Sequence, residues 1–300
     1  MSVMILLVGE QPAPNLLPFR HYDPQAVALV HTSLQQSRTK ADRLARLIGP
    51  RVIKPLCETD AYRIQLIQEN LEAYINEQGW NGPDLIFNLT GGTKTMALAA
   101  YETARRMGAT AFYYQTEDNQ SLIHPYRFEQ GNLVTGEPVR VAQTLTLDGY
   151  LRLYVGDYAP SILPKDSLEE AVYSALSQVR LPDFEAMPAT HLKELSGNVE
   201  VDVLARYGNQ VAVFEVKRKA GKDGIDQLNS VTDQRTLGTY THKFLVSARP
   251  LEENNVDLAK AYRIKVVVLE SGQGGSLSVE DAERLVTTVI DILKPQDKHA

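Results

Sequence analysis

Short apolar runs alternate with longer stretches whose apolar residues recur at helical spacing over the first 120 residues, and few folds satisfy that alternation. Val3–Val8 and Ala26–Val30 read as buried strands. Thr39–Ile48 is amphipathic, with Leu44, Leu47 and Ile48 on one side, and Ala61–Gln78 spaces Ile64, Ile67, Leu71 and Ile75 as a helix does. Asp84–Leu89 is a strand that runs straight into Thr90-Gly91-Gly92-Thr93-Lys94-Thr95. A helix over about Met96–Met107 and a strand at Ala111–Gln115 follow. Strands that keep returning after helices make a parallel, doubly wound α/β sheet.

Such sheets bind ligands at the carboxyl ends of their strands. Three loops are expected there: Gly9–Asn15, His31–Ser33 and Thr90–Thr95. The third carries two glycines that let backbone approach closely, ahead of a helix whose free amides and positive dipole end suit an anion. Thr90, Thr93, Thr95 and Lys94 add donors, but Phe87 and Thr93 stand where a Walker A loop needs glycine and lysine. We expect a phosphate site of another kind. The ligand candidates are Gln11, Asn15, Thr32, Ser33, Thr90, Gly91, Gly92, Thr93, Lys94 and Met96. Met96 opens a helix, where methionine is commonly core, and His31 at a strand end is commonly a hydrogen-bonded structural residue.

The second half has a different centre. Gly197–Lys219 reads as two strands joined at Tyr207-Gly208-Asn209, with Asp202 on the first and Glu215 and Lys217 closing the second. Residues two apart on a strand share a face, so Glu215 and Lys217 point the same way. Two carboxylates can hold a hard divalent cation through oxygen, with a lysine beside the water it activates. The competing reading is a solvated strand end, but four apolar residues before Glu215 suggest burial, where an unpaired charge is costly. Helical stretches on either side, Ser167–Tyr173 and Asp226–Asn229, offer Glu170 and Gln227; Glu200 shares the face of Asp202 and is the alternative to Glu170.

At 300 residues, 43% hydrophobic and 23% charged, the chain can hold two domains with real cores. Its one cysteine, Cys57, excludes an internal disulfide framework and a thiolate zinc cluster. A net charge of −6 argues against indiscriminate nucleic-acid binding, and leaves Lys217, Arg218, Lys219 and Lys222 as the best local basic patch. Val3–Val8 is too short to span a membrane and lacks a basic flank, so a cytoplasmic protein is expected. Turn signals around Leu133-Val134 and Val139–Val141 suggest a β-hairpin before a linking segment at Leu145–Val155.

Helix with glutamate, strand with Asp202, strand with Glu215-Val216-Lys217, then helix with Gln227 resembles the PD-(D/E)XK nuclease superfamily over about Asp166–Leu269, although Val201 stands where its proline would. The N-L-T-G-G-T-K-T-M stretch, with G-E-Q-P-A-P-N and L-V-H-T-S, resembles the CARF domain, the Rossmann-like cyclic-oligoadenylate sensor of type III CRISPR systems, over roughly residues 1–120. The pair resembles the CARF-containing CRISPR ancillary nucleases. That resemblance implies a CARF sensor over 1–140, a linker over 141–165 and a PD-(D/E)XK restriction-endonuclease-like α/β domain over 166–300. It also implies a homodimer, cyclic tetra-adenylate as activator, and DNA or RNA as substrate. Asp202, Glu215 and the Val216 carbonyl would hold Mn²⁺ or Mg²⁺, Lys217 would act on the attacking water, and Glu170 and Gln227 would assist. The alternatives are a catalytically silent sensor and a ligand-independent restriction or repair endonuclease.

Overall fold

The computed structural model describes residues 1–142, 144–160, 166–192, 199–233, 236–238 and 241–296. Part of the expected linker (161–165) and the start of the expected hairpin stretch (197–198) lie outside the described residues. The chain divides into two compact units, Met1–Gln143 and Thr144–Ala300. Among the described residues no helix is long and apolar enough to cross a membrane.

The first unit runs β1 (Val3–Leu7), α1 (Ala13–Tyr22), β2 (Ala26–Thr32), α2 (Gln35–Ile48), β3 (Cys57–Thr59), α3 (Ile64–Glu77), β4 (Leu85–Asn88), α4 (Lys94–Met107), β5 (Thr110–Glu117), β6 (Gln120–Glu129), β7 (Asn132–Thr135) and β8 (Val139–Arg140). Its sheet has the order β3-β2-β1-β4-β5-β6-β7, with β8 also on β6; the first five strands are parallel. Val3, Ile5 and Leu7 of β1 and Phe87 of β4 pack under Ile67, Leu71 and Ile75 of α3 and Met96, Ala99 and Ala100 of α4. Helix α1 packs on β1 and β5, and α2 on β2, so the parallel strands are covered on both faces. That is the doubly wound sheet read from the sequence. Strand order reverses between β1 and β4, and the loops after those two strands flank the crevice where this architecture takes ligands.

Two local expectations change. The proline-rich loop after β1 ends early, because Ala13 and Pro14 begin α1, where a missing N–H costs nothing. The expected hairpin strands do not pair with one another: Leu133 and Val134 of β7 and Val139 of β8 all pair with β6. That strand is set by a two-residue turn at Asp118-Asn119, both at positive φ (46° and 63°), which returns the chain antiparallel to β5.

The second unit runs α5 (Leu147–Tyr154), β9 (Tyr158–Pro160), α6 (Ser167–Ser177), β10 (Phe184–Leu192), β11 (Val199–Tyr207), β12 (Gln210–Lys217), α7 (Lys222–Val231), β13 (His242–Ser247), α8 (Glu253–Ala261), β14 (Ile264–Val268) and α9 (Val279–Leu293). Its sheet has the order β14-β13-β12-β11-β10-β9, parallel from β12 to β14 and antiparallel from β12 to β9. Val203 and Ala205 of β11 and Ala212, Phe214 and Val216 of β12 form the core with Leu168, Val172 and Leu176 of α6 and Leu285, Val289 and Leu293 of α9. Phe214 stacks on Phe244 at 4.8 Å. Because side chains alternate, Asp202 on β11 and Glu215 and Lys217 on β12 then face the other side, where α7 lies. The stretch read as a linking segment holds α5, which is capped by Thr146 and packs on β10 and β11; the Tyr150 hydroxyl reaches Thr241 at 3.1 Å.

Candidate ligand loop and candidate hydrolytic site

In the first unit the loops after β2, β1 and β4 emerge from adjacent parallel strands at one edge of the sheet. The loop from Thr90 to Thr93 is seated by close backbone approach. A Cβ on Gly91 would lie 1.8 Å from the Leu7 carbonyl oxygen, and Gly92 has φ +72° with Met96 Sδ 3.0 Å from where its Cβ would be. Asn15 and Asn88 hold the loop from beneath. The Asn15 amide donates to the Leu7 carbonyl (2.9 Å), Asn88 donates to Asn15 Oδ1 (2.9 Å), and Asn88 Oδ1 accepts from the Thr90 N–H (3.0 Å).

Most hydroxyls expected at a ligand are used within the protein. Thr90 Oγ1 accepts from the Tyr114 N–H (2.6 Å). Thr93 caps α4 by accepting from the Met96 N–H (3.1 Å), and both Thr93 and Thr95 donate to the Ala61 carbonyl (2.7 Å). Thr32 is buried, and its Oγ1 accepts from the Leu34 N–H (3.4 Å). Asn15 and Met96, counted above as ligand candidates, are fully enclosed; they build the cradle and do not line it. Gln11 is half-buried, Ser33 and Lys94 are exposed, and the Gly91-Gly92 backbone is half-buried. Those remain positioned to meet a ligand. His31 is buried, with its Nδ1 2.9 Å from the Thr32 carbonyl, as the structural reading expects.

In the second unit, Asp202 and Glu215 are 7% and 2% exposed on neighbouring strands. The Val216 N–H donates to Asp202 Oδ2 at 2.7 Å, which fixes that carboxylate to the strand carrying Glu215. Lys217 Nζ lies 2.5 Å from Glu215 Oε1, as their shared face requires. Helix α7 closes over them: a Cβ on Gly224 would lie 3.6 Å from Glu215 Cγ and 3.9 Å from Lys217 Cγ. Farther along α7 the Gln227 amide reaches the Glu200 carbonyl at 3.5 Å, so the helix and β11 meet where expected.

The two adjacent glutamates of α6 differ in burial. Glu170 is exposed, whereas Glu169 is 7% exposed and its charge acts on both Glu215 and Lys217. Glu200 pairs instead with His191, 3.6 Å away across the β10–β11 ladder. The basic run is also thinner than its sequence suggests. Lys217 faces Glu215, Arg218 is bound to Asp166 although exposed, and exposed Lys219 lies 3.9 Å from Glu252; Lys222 is exposed as well.

Burial, and then the charge of Asp202, push the Glu215 carboxyl up to about 7 against the pull of Lys217. For Lys217, burial disfavours the ammonium, but Glu215, Asp202 and Glu169 outweigh it and raise its pKa. The pocket of charge is therefore short of positive charge. Glu215 Oε1 is buried, and among the described residues its partner is the Lys217 ammonium. Among the described residues no three His, Cys, Asp or Glu side chains form a ready cage for a metal. One or two carboxylates with water completing the shell is nonetheless how magnesium is commonly held, and this donor set fits that chemistry.

Residues 3–150 match the family model of the Card1 CARF domain. The chain is thus a CARF-domain protein. Its two-domain fold is shared from end to end by solved structures. Can2 from Sulfobacillus thermosulfidooxidans, solved in complex with cyclic tetra-adenylate, superposes with a TM-score of 0.69 at 18% identity, over 98% of this chain and 100% of that one. Protein VC1899 from Vibrio cholerae superposes with a TM-score of 0.71 at 14% identity, over 98% of each chain. A type III CRISPR defence DNA nuclease activated by cyclic oligoadenylate gives 0.55 at 21% identity, over 95% of this chain but 51% of the other. No curated protein matches by sequence.

Proposed function

We propose that the chain is a metal-dependent endonuclease of the PD-(D/E)XK type, activated by a cyclic oligoadenylate. The carrying observation is that one chain holds both a Card1-type CARF domain and a buried carboxylate pair ion-paired to a lysine. Cyclic tetra-adenylate is the proposed activator, since the Can2 structure was solved with it and its fold covers this whole chain. Gln11, Ser33, Lys94 and the Gly91-Gly92 backbone would contact it. A ring of four identical nucleotides has two-fold symmetry, which suits a homodimer presenting the same loops twice. Exposed Leu98, one turn along α4 from Lys94, and exposed Tyr62 support a second copy at that edge. A domain limit near 140 remains our proposal, whereas the α5 region, first expected in a linker over 141–165, is assigned to the nuclease side.

Asp202, Glu215 and the Val216 carbonyl would hold Mn²⁺ or Mg²⁺, with Glu169 completing the acidic wall. The metal supplies Lewis acidity and an activated water when bound. Asp202 is kept in place by the Val216 N–H. Lys217, with its raised pKa, stays an ammonium near neutral pH and stabilises charge on the phosphate oxygens, which favours that role over proton abstraction. Without a cation, burial and Asp202 hold the Glu215 carboxyl up at about 7, and a bound cation would supply the charge that keeps it ionised. Gln227 holds α7 to β11 beside Asp202. Ligand binding would shift the population toward an arrangement that admits DNA or RNA.

The test is cleavage of plasmid, single-stranded DNA and single-stranded RNA with Mn²⁺ or Mg²⁺, with and without cyclic tetra-adenylate. Cutting that needs the activator and is lost in Glu215→Ala and Lys94→Ala supports the proposal. Activator-free cutting that survives Lys94→Ala would show a plain endonuclease, and binding without cutting a silent sensor.

A further inference from the structure

Arg218 is the one member of the basic run whose guanidinium is bound on several sides. It follows Lys217 at the end of β12, and the alternation that turns Lys217 toward Glu215 turns Arg218 toward α6. Its Nε and Nη2 donate to the two oxygens of Asp166 (3.1 and 3.2 Å), Nη2 to Ser167 Oγ (2.8 Å), and Nη1 to the Gln273 carbonyl (2.7 Å). Asp166 is in turn the N-cap of α6, accepting from the Leu168 N–H at 2.7 Å. Gly275 completes the junction: its φ is +84°, and a Cβ there would lie 2.1 Å from Ser167 Oγ. One guanidinium thus ties the end of the strand carrying Glu215 to the first turn of the helix carrying Glu169.

Resting on the metal-site reading above, we propose that Arg218 is a positioning residue, which through the Asp166 cap holds the buried Glu169 carboxylate on the side of α6 nearest the Asp202–Glu215 site. Glu169 lies three residues beyond Asp166, within the first turn of α6, so the direction of its side chain follows the cap. Fraying that turn would swing a buried carboxylate out of the acidic wall and toward water. A surface ion pair adding only stability would bond one partner on one element. This guanidinium, carried at the end of the strand that bears Glu215, bonds two further segments, the start of α6 that bears Glu169 and the loop at Gln273.

The measurement is Mn²⁺ affinity of the full chain by electron paramagnetic resonance, without nucleic acid or activator, below the unfolding range of every variant. Arg218→Ala and Glu169→Gln should each weaken Mn²⁺ about 10-fold, the scale on which groups that orient a metal's ligands act. The double variant should be no weaker than Glu169→Gln alone, because both remove the same carboxylate. Arg218→Lys, which keeps charge but not the forked geometry, should recover part of the loss. Affinity in Arg218→Ala within twofold of the parent, or losses that multiply in the double variant, would overturn the positioning role. Mn²⁺ binding unchanged by Asp202→Ala would overturn the metal-site reading beneath it, a different failure visible in the same titration.

Discussion

Glu215→Gln should stabilise the metal-free protein at pH 8 while removing its activity. The Glu215 carboxyl lies at about 7 against an ordinary 4.5, because burial and Asp202 disfavour its charge. Folding at pH 8 therefore forces a charge into surroundings that resist it, at a cost of about 3 kcal/mol on the usual ~1.4 kcal/mol per pH unit. The sign follows from proton counts: between about 4.5 and 7 the folded state binds more protons here than the unfolded state, so stability falls as pH rises through that window. Glutamine removes the charge and also the pairing with Lys217, whose pull is already contained in the carboxyl's position at about 7. The net expectation is therefore a gain of roughly 3 kcal/mol at pH 8, shrinking toward zero by pH 5. Urea denaturation in EDTA, compared for parent and variant at pH 5, 6, 7 and 8, reads it directly. A variant less stable than the parent at pH 8, or a difference that does not change with pH, would refute the argument that the site is short of positive charge.

Saturating Mn²⁺ should raise the parent's melting temperature far more than that of Asp202→Ala, since a cation supplies the charge the carboxylates lack. Glu169→Gln should weaken Mn²⁺ binding in calorimetry whereas Glu170→Gln, on the exposed side of α6, should not. Gly91→Ala should lose cyclic tetra-adenylate binding, because a Cβ 1.8 Å from the Leu7 carbonyl forces the loop off β1; fluorescence anisotropy would measure the loss. Lys94→Ala should weaken the same binding at least tenfold with an unchanged melting temperature, since Lys94 is exposed and a charge-assisted hydrogen bond carries about 1.5–3 kcal/mol.

What the sequence disclosed follows the strength of its periodic signals. Strands β1, β2 and β4 are near-continuous apolar runs, and α3 and α4 carry apolar residues at helical spacing; those elements were legible, whereas parallel β3, Cys57-Glu58-Thr59, has no such run. Strands β6 and β10 were not, because Pro125 and Pro188 interrupt them and their exposed faces are polar. The turn that sets β6 was written as Asp118-Asn119, a pair suited to positive φ, and could have been read. In the sensor, glycine, hydroxyl and lysine together suggested a ligand loop. Composition could not say that Thr93 and Thr95 would be committed to the Ala61 carbonyl, a partner more than 30 residues earlier. The same limit applies to α6, where the sequence offers both Glu169 and Glu170. The choice between Glu169 and Glu170 depends on which side of the helix meets the sheet. Leu168, Val172 and Leu176 settle that, because they form one stripe and Glu169 lies at its border, about 100° nearer than Glu170. Strand alternation likewise divides Lys217-Arg218-Lys219, which looks like one patch of charge in sequence, into a lysine for the carboxylates and an arginine for the helix beside them. Read by facing direction, the basic run divides between the carboxylates, the start of α6 and, through Lys219, the carboxylate of Glu252.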